Sequence, residues 1–541
     1  MIQLLPAALS IVLLLTIAGD QEPAAPAASA PTAATPGPYA QSPSQTLGGA
    51  LEAVRRKDLN GARSLQATLT DPVARRVVDW AIVDVMGAAL GEAELSRAIT
   101  DFAGWPRPEG RLAALQEASA AALPQGPVPY SALAGRSSEG GGLTSLRLRM
   151  NDALRTGDAA AAYRAISGHS LRPGTVDYAE AESYAGWLAL NKLRDPRLAD
   201  AHFQRLEQNV KSPVSKARAA YWRGRAAEQM GDLARARSFY EAGAEHTTTF
   251  YGQLAAEKAG RRMLALTADP KPTSADVVDF ETRELTRALR LLAAAGERPL
   301  VRVFGLYMGE TVETPIELAL LVDTLRNLGE QEVSLIAYRR GAQRGLILHE
   351  RGYPVMTPPY VDGGAEAAFV LAIVRQESQF DPRVRSHADA RGMMQVIPAT
   401  GRDVARRIGV PFEASRLYEA EYNMRIGSRY LGQMTSNFGG SYVMAAAGYN
   451  AGPSRPLQWI EFCGDPRDPA GDPLDFLECI PFSETRNYVM NVMSNVQVYR
   501  ARLNRGQAPL TLSSDIRRGV KPTPMLPDGP QPYVPDNAAS H

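Results

Sequence analysis

With 541 residues, 45% hydrophobic and 22% charged, the chain can bury large cores and should hold more than one domain. Its 59 Lys and Arg nearly cancel 58 Asp and Glu, which removes the bulk charge expected of a nucleic-acid or anionic-membrane binder, so specificity has to be local. The six histidines lie far apart and form no short-spaced ligand motif with the two cysteines, and neither a metal nor a cofactor is expected.

The chain opens on an apolar core, Ala7 to Ala18, with small residues at Thr16 and Ala18. This reads as an export signal over residues 1–18. The usual basic start is missing, since no Lys or Arg precedes Arg55, so the true start lies upstream or the segment works without it. An uncleaved anchor from Ile2 to Ala18, marginal in length and interrupted by Pro6, and an apolar core helix are the competing readings. An N-terminal lipid anchor is excluded because no Cys is there to carry it. Residues 19–46 are Ala, Pro, Ser and Thr, a composition that cannot bury enough surface to fold and reads as a disordered linker.

Residues 47–351 read as Ala-rich helices with turn signals between them. Asp158, Asp195 and Asp232 recur every 37 residues, with Ala162, Ala199 and Ala236 four positions on and Ile166, Phe203 and Tyr240 eight positions on. A turn aspartate followed at helical spacing by a small and then a large residue predicts stacked helix pairs, a solenoid. Lys57-Asp58 with Ala62 and Leu65, and Gly329-Glu330 with Tyr338, read as degenerate copies; an ordinary bundle with chance matches is the alternative. Taken alone, such a repeat implies only a scaffold.

A Pro- and Gly-rich junction from Gly352 to Gly364 opens a second domain, residues 352–505. From Ala365 to Val374 nearly every residue is apolar, which predicts a helix buried on all sides. Glu377 follows at its end, before Asp381-Pro382 breaks the helix. Burial and the negative end of the helix dipole both disfavour the carboxylate, so its pKa should rise, as general-acid cleavage of a glycosidic bond requires. On local pattern alone the commoner reading is a Glu that is solvated or paired with a neighbour such as Arg375.

The words around Glu377 weigh against that blander reading. Glu377-Ser378, Gly392-Met393-Met394-Gln395, Gly448-Tyr449-Asn450-Ala451-Gly452-Pro453 and Pro481-Phe482-Ser483-Glu484-Thr485-Arg486-Asn487-Tyr488 follow in order. In this the stretch from Tyr353 to Leu503 resembles the soluble lytic murein transglycosylases, relatives of goose-type lysozyme; Tyr221 to Leu254 also resembles their superhelical domain. The resemblance implies an all-α chain: an N-terminal α-superhelical solenoid followed by a lysozyme-like, mainly α catalytic domain. It further implies Glu377 as the catalytic acid, with Ser378, Met394, Gln395, Tyr449, Asn450 and Tyr488 at the substrate cleft. Two positions depart from the family pattern: Met393 stands where Leu is usual, and Asp389 where the family has a Gly.

The motifs supply one convincing acid. Glu484 is the best second carboxylate, but its place just after Pro481 suggests a role in a first helical turn. With one carboxyl the substrate must supply its own nucleophile. The implied reaction cleaves between N-acetylmuramic acid and N-acetylglucosamine in peptidoglycan and leaves a 1,6-anhydro sugar. A hydrolytic muramidase and a non-catalytic glycan-binding scaffold are the alternatives. The expected partner is the peptidoglycan glycan strand, the expected place the periplasm, and any cell-wall synthesis or envelope complex is unspecified. Cys463 and Cys479, the only cysteines, close a short Asp-, Pro- and Gly-rich insertion; in an exported protein they should form a disulfide, and reduced core cysteines are the alternative. Residues 506–541 are Pro-rich and polar and read as a disordered tail.

Overall fold

The turn aspartates of the repeat are helix N-caps. In a computed structural model that describes residues 42–121 and 142–521, Asp158, Asp195 and Asp232 accept the backbone N–H groups of Ala161, Leu198 and Arg235 at 2.8, 2.9 and 3.0 Å. Asp58 does the same for Gly61 at 2.8 Å. Each such cap contributes about 1 kcal/mol by satisfying an otherwise orphaned donor. The residue ahead of each cap takes a left-handed turn: Lys57 (φ 61°), Gly157 (77°), Arg194 (59°) and Gly231 (79°). Gly296-Glu297 and Gly329-Glu330 repeat that turn without a side-chain cap, which is why the first of them escapes a search for aspartates.

Small-and-large alternation explains how the pairs stack. Ala162, Ala199, Ile166 and Phe203 have no exposed surface. A Cβ at Gly186 would come within 2.5 Å of the Phe203 ring, and one at Gly224 within 2.4 Å of the Tyr240 ring. The large residue of one helix therefore lies on a glycine of the preceding one, and the helices Val176–Trp187, Pro196–Gln208, Pro213–Gln229 and Leu233–Gly243 follow as successive layers. Gly305 against Leu325 continues the scheme, and Gly341 against Leu318 reverses its order, with the glycine on the later helix. The helices between Pro43 and Ala121 pack on the later ones: Arg287 reaches Asp71 at 2.9 Å, and the Trp80 and Phe304 rings meet edge-on at 5.0 Å.

The described residues contain 25 α-helices and a single strand pair, Met263–Ala265 with Gln507–Pro509, antiparallel. The fold is all-α, as expected. None of these helices is long and apolar enough to cross a membrane. The expected signal, residues 1–18, and most of the linker lie outside the described residues, although helix begins at Pro43, three residues before the expected end of the linker.

The chain after Arg505 differs from the expectation of a disordered tail. It is ordered through Lys521 because its polar groups find buried partners. Gln507–Pro509 pairs with the solenoid strand, Leu512–Arg517 is helical, and Asp515 takes hydrogen bonds from Gln497 Nε2 at 2.7 Å and from Arg500. Residues 522–541 lie outside the described residues.

Candidate active site

The acid helix, Ala367–Glu377, is enclosed on every side: Phe369 through Val374 have no exposed surface. It stops at Glu377, three residues earlier than Asp381-Pro382 alone requires, because Gln379 (φ 52°) and Phe380 (φ 65°) turn left-handed in succession. Two adjacent non-glycine residues in that region are costly and must be held by their surroundings. Phe380 is buried and Gln379 Nε2 donates to the Arg375 carbonyl at 2.5 Å.

Arg375 does not pair with the acid. Its Nε donates to the Gly352 carbonyl at 3.0 Å, and its guanidinium lies 4.3 Å from the centre of the Tyr353 ring. Glu377 instead receives the Tyr488 hydroxyl on Oε1 at 2.5 Å, and Oε2 accepts no hydrogen bond from the described residues. Burial pushes its pKa from 4.5 up to about 7; the phenol bond offsets part of that rise, and the nearby charge of Glu484 adds to it. Glu484 is exposed in the first turn of the closing helix, Ser483–Leu503. Tyr449 lies close enough for the Glu377 charge, after burial, to help lift its phenol well above the ordinary value.

The other residues expected at the cleft divide into two groups. Tyr449 and Asn450 are half-buried near the end of the helix Tyr442–Ala451, Tyr449 within reach of the Glu377 charge. Tyr449 donates to the Met394 carbonyl at 2.7 Å, and Asn450 Oδ1 accepts from Thr485 Oγ1 at 2.7 Å, leaving its amide N–H₂ without a partner among the described residues. Gln395 is half-buried, with its amide donating to the carbonyls of Val384 and Gly392 at 3.0 and 2.9 Å.

Ser378 and Met394, also expected at the cleft, have their side chains turned inward. The Ser378 hydroxyl, 2% exposed, donates to the Met393 carbonyl at 2.8 Å, joining the acid's helix end to the second motif. Met394 is wholly buried; a Cβ on Gly427 would fall 2.4 Å from its sulfur, so its side chain packs in the core and its carbonyl is the polar atom turned to Tyr449.

Sequence reading missed Asn423, which has no exposed surface and ties the second motif together. Its Oδ1 accepts from Met394 N–H at 2.8 Å, and its amide donates to the carbonyls of Arg391 and Leu417 at 2.7 and 2.8 Å. Gly392 sits against it at φ 73°, where a Cβ would lie 2.0 Å from the Leu417 carbonyl oxygen. No motif contains Asn423, so only the fold reveals it. Thr485 lay inside a quoted motif, and its position three residues before Tyr488 on one helix was the available signal. Asp389 takes the left-handed turn, at φ 61°, and its carboxylate pairs with Arg385 and Arg391 at 2.7 and 2.9 Å.

Cys463 and Cys479 are joined in a disulfide with Cα atoms 5.5 Å apart. It ends a short helix, Pro473–Cys479, that rests on the solenoid, where Asp475 accepts from Trp187 Nε1, Asn191 Nδ2 and Lys192 Nζ at 3.0, 2.8 and 3.1 Å.

Parts of the chain are similar to known proteins. Residues 361–467 match the family described as Transglycosylase SLT domain, and residues 479–508, on the closing helix, match the Soluble lytic transglycosylase helical domain. The chain is 37% identical over 155 residues to a soluble lytic murein transglycosylase of Salmonella typhimurium, covering 28% of this chain and 23% of that one. It is 38% identical over 137 residues to the soluble lytic murein transglycosylase of Escherichia coli K12, covering 25% and 20%. The matched stretch thus spans under a quarter of the length of these relatives. Among solved structures, an inactive mutant of the lytic transglycosylase Slt of Pseudomonas aeruginosa shares the fold, with a TM-score of 0.55 at 22% identity over 89% of this chain and 76% of that one. The domain that carries Glu377 is therefore a transglycosylase SLT domain, and the resemblance to the soluble lytic murein transglycosylases extends through the closing helix.

Proposed function

We propose that the protein is a lytic transglycosylase that cleaves the β-1,4 bond between N-acetylmuramic acid and N-acetylglucosamine in peptidoglycan, acting in the periplasm. The observation that carries this reading is Glu377: a half-buried carboxyl with its pKa near 7, paired with no cation among the described residues, with one oxygen held by a phenol and the other without a hydrogen bond from them. Near neutral pH such a group holds a proton for the glycosidic oxygen, and Tyr488 fixes the direction in which it is given.

We read the reaction as one that uses a single carboxyl, without the second carboxylate of hydrolysis by retention or inversion. In support, among the described residues the other carboxylate whose charge Glu377 feels, Glu484, is exposed. The substrate N-acetyl group then assists departure of the leaving sugar. Glu377, now ionised, takes the proton of the C6 hydroxyl as that oxygen attacks C1. The glycosidic bond breaks as the leaving oxygen keeps the proton that Glu377 gave it, a C1–O6 bond forms, and the proton of the C6 hydroxyl restores the acid form of Glu377. Asn450, with Oδ1 held by Thr485, offers its N–H₂ to a substrate carbonyl or hydroxyl.

The relatives' names supply the substrate class, murein. Mass spectrometry of purified peptidoglycan digested by the purified protein tests the reading. Products ending in 1,6-anhydromuramic acid are expected. Reducing N-acetylmuramic acid ends would make the protein a muramidase, with Glu484 activating water.

A further inference from the structure

Beneath the first turn of the closing helix lies a buried group of charges that the proposed reaction does not use. Arg486, wholly buried, is bound through Nη2 to Glu180 of the solenoid helix Val176–Trp187. Its guanidinium lies 4.7 Å from the centre of the Tyr184 ring, and its Nη1 is 3.8 Å from Glu478. Arg218, from another solenoid helix, bridges Glu478 and Glu180, and the Tyr251 hydroxyl donates to Glu478. Arg147 reaches the same turn from the helix Leu143–Arg155, donating to the Pro481 carbonyl at 2.8 Å and to Ser483 Oγ at 3.0 Å.

Arg486 Nε and Nη1 have no hydrogen-bond partner among the described residues, which leaves Glu180 as its closest anion there. An arginine cannot shed its charge, so its burial depends on that carboxylate. Burial pushes Glu180 up, but Arg486 and Arg218 outweigh it and hold the carboxyl below its ordinary value. Residues 486 and 488 stand about 200° apart around a helix, so one turn presents Arg486 to the solenoid and Tyr488 to the acid.

We propose that Glu180, a solenoid residue, is a positioning residue for catalysis: through Arg486 it fixes the turn from which Tyr488 meets Glu377. This rests on the reading of Glu377 as the acid, and it gives the solenoid a part in the chemistry beyond that of a scaffold. Small displacements of a positioned group are costly, on the order of a hundredfold for 1 Å.

The test is Glu180→Gln in the full chain, with kcat, KM, the pH profile and a thermal midpoint measured on peptidoglycan. A fall in kcat of about tenfold or more is expected with KM within about twofold, because the substrate-binding groups stay in place. The limb of the profile near pH 7 should move upward, since the Tyr488 bond that lowers the Glu377 pKa is weakened. In a Tyr488→Phe background the same substitution should cost no further activity, the signature of two residues acting as one.

Asp200→Asn is the control. It removes a buried carboxylate whose partners, Arg223 and Arg235, both lie in the solenoid, and it should lower the midpoint while leaving kcat unchanged. If Glu180→Gln does not fold, Glu180→Asp keeps the charge with a shorter reach and should give a smaller loss with the same shift of the limb. Unchanged kcat and limb in a folded variant, or additive losses with Tyr488→Phe, would overturn the proposal. Carbon-13 titration of the Glu377 carboxyl reads the same shift without turnover, so an inactive wild type would defeat the functional reading and leave this one decidable.

Discussion

Two carboxylates flank the first turn of the closing helix, and their surroundings differ in one respect. Burial pushes both Glu180 and Glu377 toward the neutral form. Glu180 meets the guanidinium groups of Arg486 and Arg218 and stays ionised; Glu377 meets the phenol of Tyr488 and the charge of Glu484 but no cation among the described residues, and rises to about 7. Burial alone therefore does not make an acid, and the sign of the partner decides. The fold keeps cations off Glu377 by turning Arg375 onto Gly352 and Tyr353.

The largest effect should come from erasing the distinction at Glu377. Glu377→Gln keeps the shape and removes the proton, and glycan cleavage should fall at least about a hundredfold while glycan binding remains. Because burial raises the native pKa above the unfolded value of 4.5, the folded state holds the proton more tightly. The stability this gives is complete below pH 4.5 and is lost as the pH rises to about 7. The Gln variant has no such loss. It should be more stable than wild type above pH 7, by on the order of 2 kcal/mol once the partial exposure of the site is allowed for, and should lose that advantage in acid. Denaturation midpoints at pH 4 and pH 8 check both halves.

Removing the neutral partner sharpens the comparison from the other side. Tyr488→Phe should cut turnover about tenfold at little cost in stability, since the ring still fills its buried place. Equal lytic rates would remove Tyr488 from the site.

The disulfide bears on the charged region instead. Replacing both Cys463 and Cys479 by Ser should cost roughly 3 kcal/mol by the chain-entropy estimate for so short a loop. It also frees the helix that carries Asp475 and Glu478 against the solenoid, so proteolysis in that insertion should quicken. Two free thiols in the unfolded, unreduced wild type would contradict the pairing.

The smallest effect is expected at Asp389, a half-buried residue whose charge is balanced by Arg385 and Arg391. Asp389→Gly should leave the lytic rate within about twofold, since glycine adopts its left-handed turn more easily. A larger loss would mean that this carboxylate touches the glycan.

The acid helix was legible because ten nearly continuous apolar residues have one common outcome in a folded chain, and Glu377 followed directly. The repeat was legible where aspartate capped it and invisible at Gly296-Glu297, where a left-handed turn does the same work without a side-chain cap. The inward turn of Met394 and Ser378 was not legible because a motif names neighbours in sequence without giving the direction of a side chain; packing on Gly427 and a bond to the Met393 carbonyl set it. Asn423, Arg147 and Glu180 could not be found at all. Their partners lie 29, 336 and 306 residues away, and nothing local marks them. The ordered stretch after Arg505 was hidden similarly, since its stability comes from Gln497 and Arg500 rather than from its own composition.

The pH dependence of turnover tests the central claim most directly. If an unpaired Glu377 delivers the proton, kcat should be sustained below pH 7 and fall as the pH rises through about 7, and the limb should move up in Tyr488→Phe as the lowering bond is lost. A wild-type profile that declines near 4.5, the ordinary value for an exposed glutamate, and is unmoved by Tyr488→Phe would contradict it.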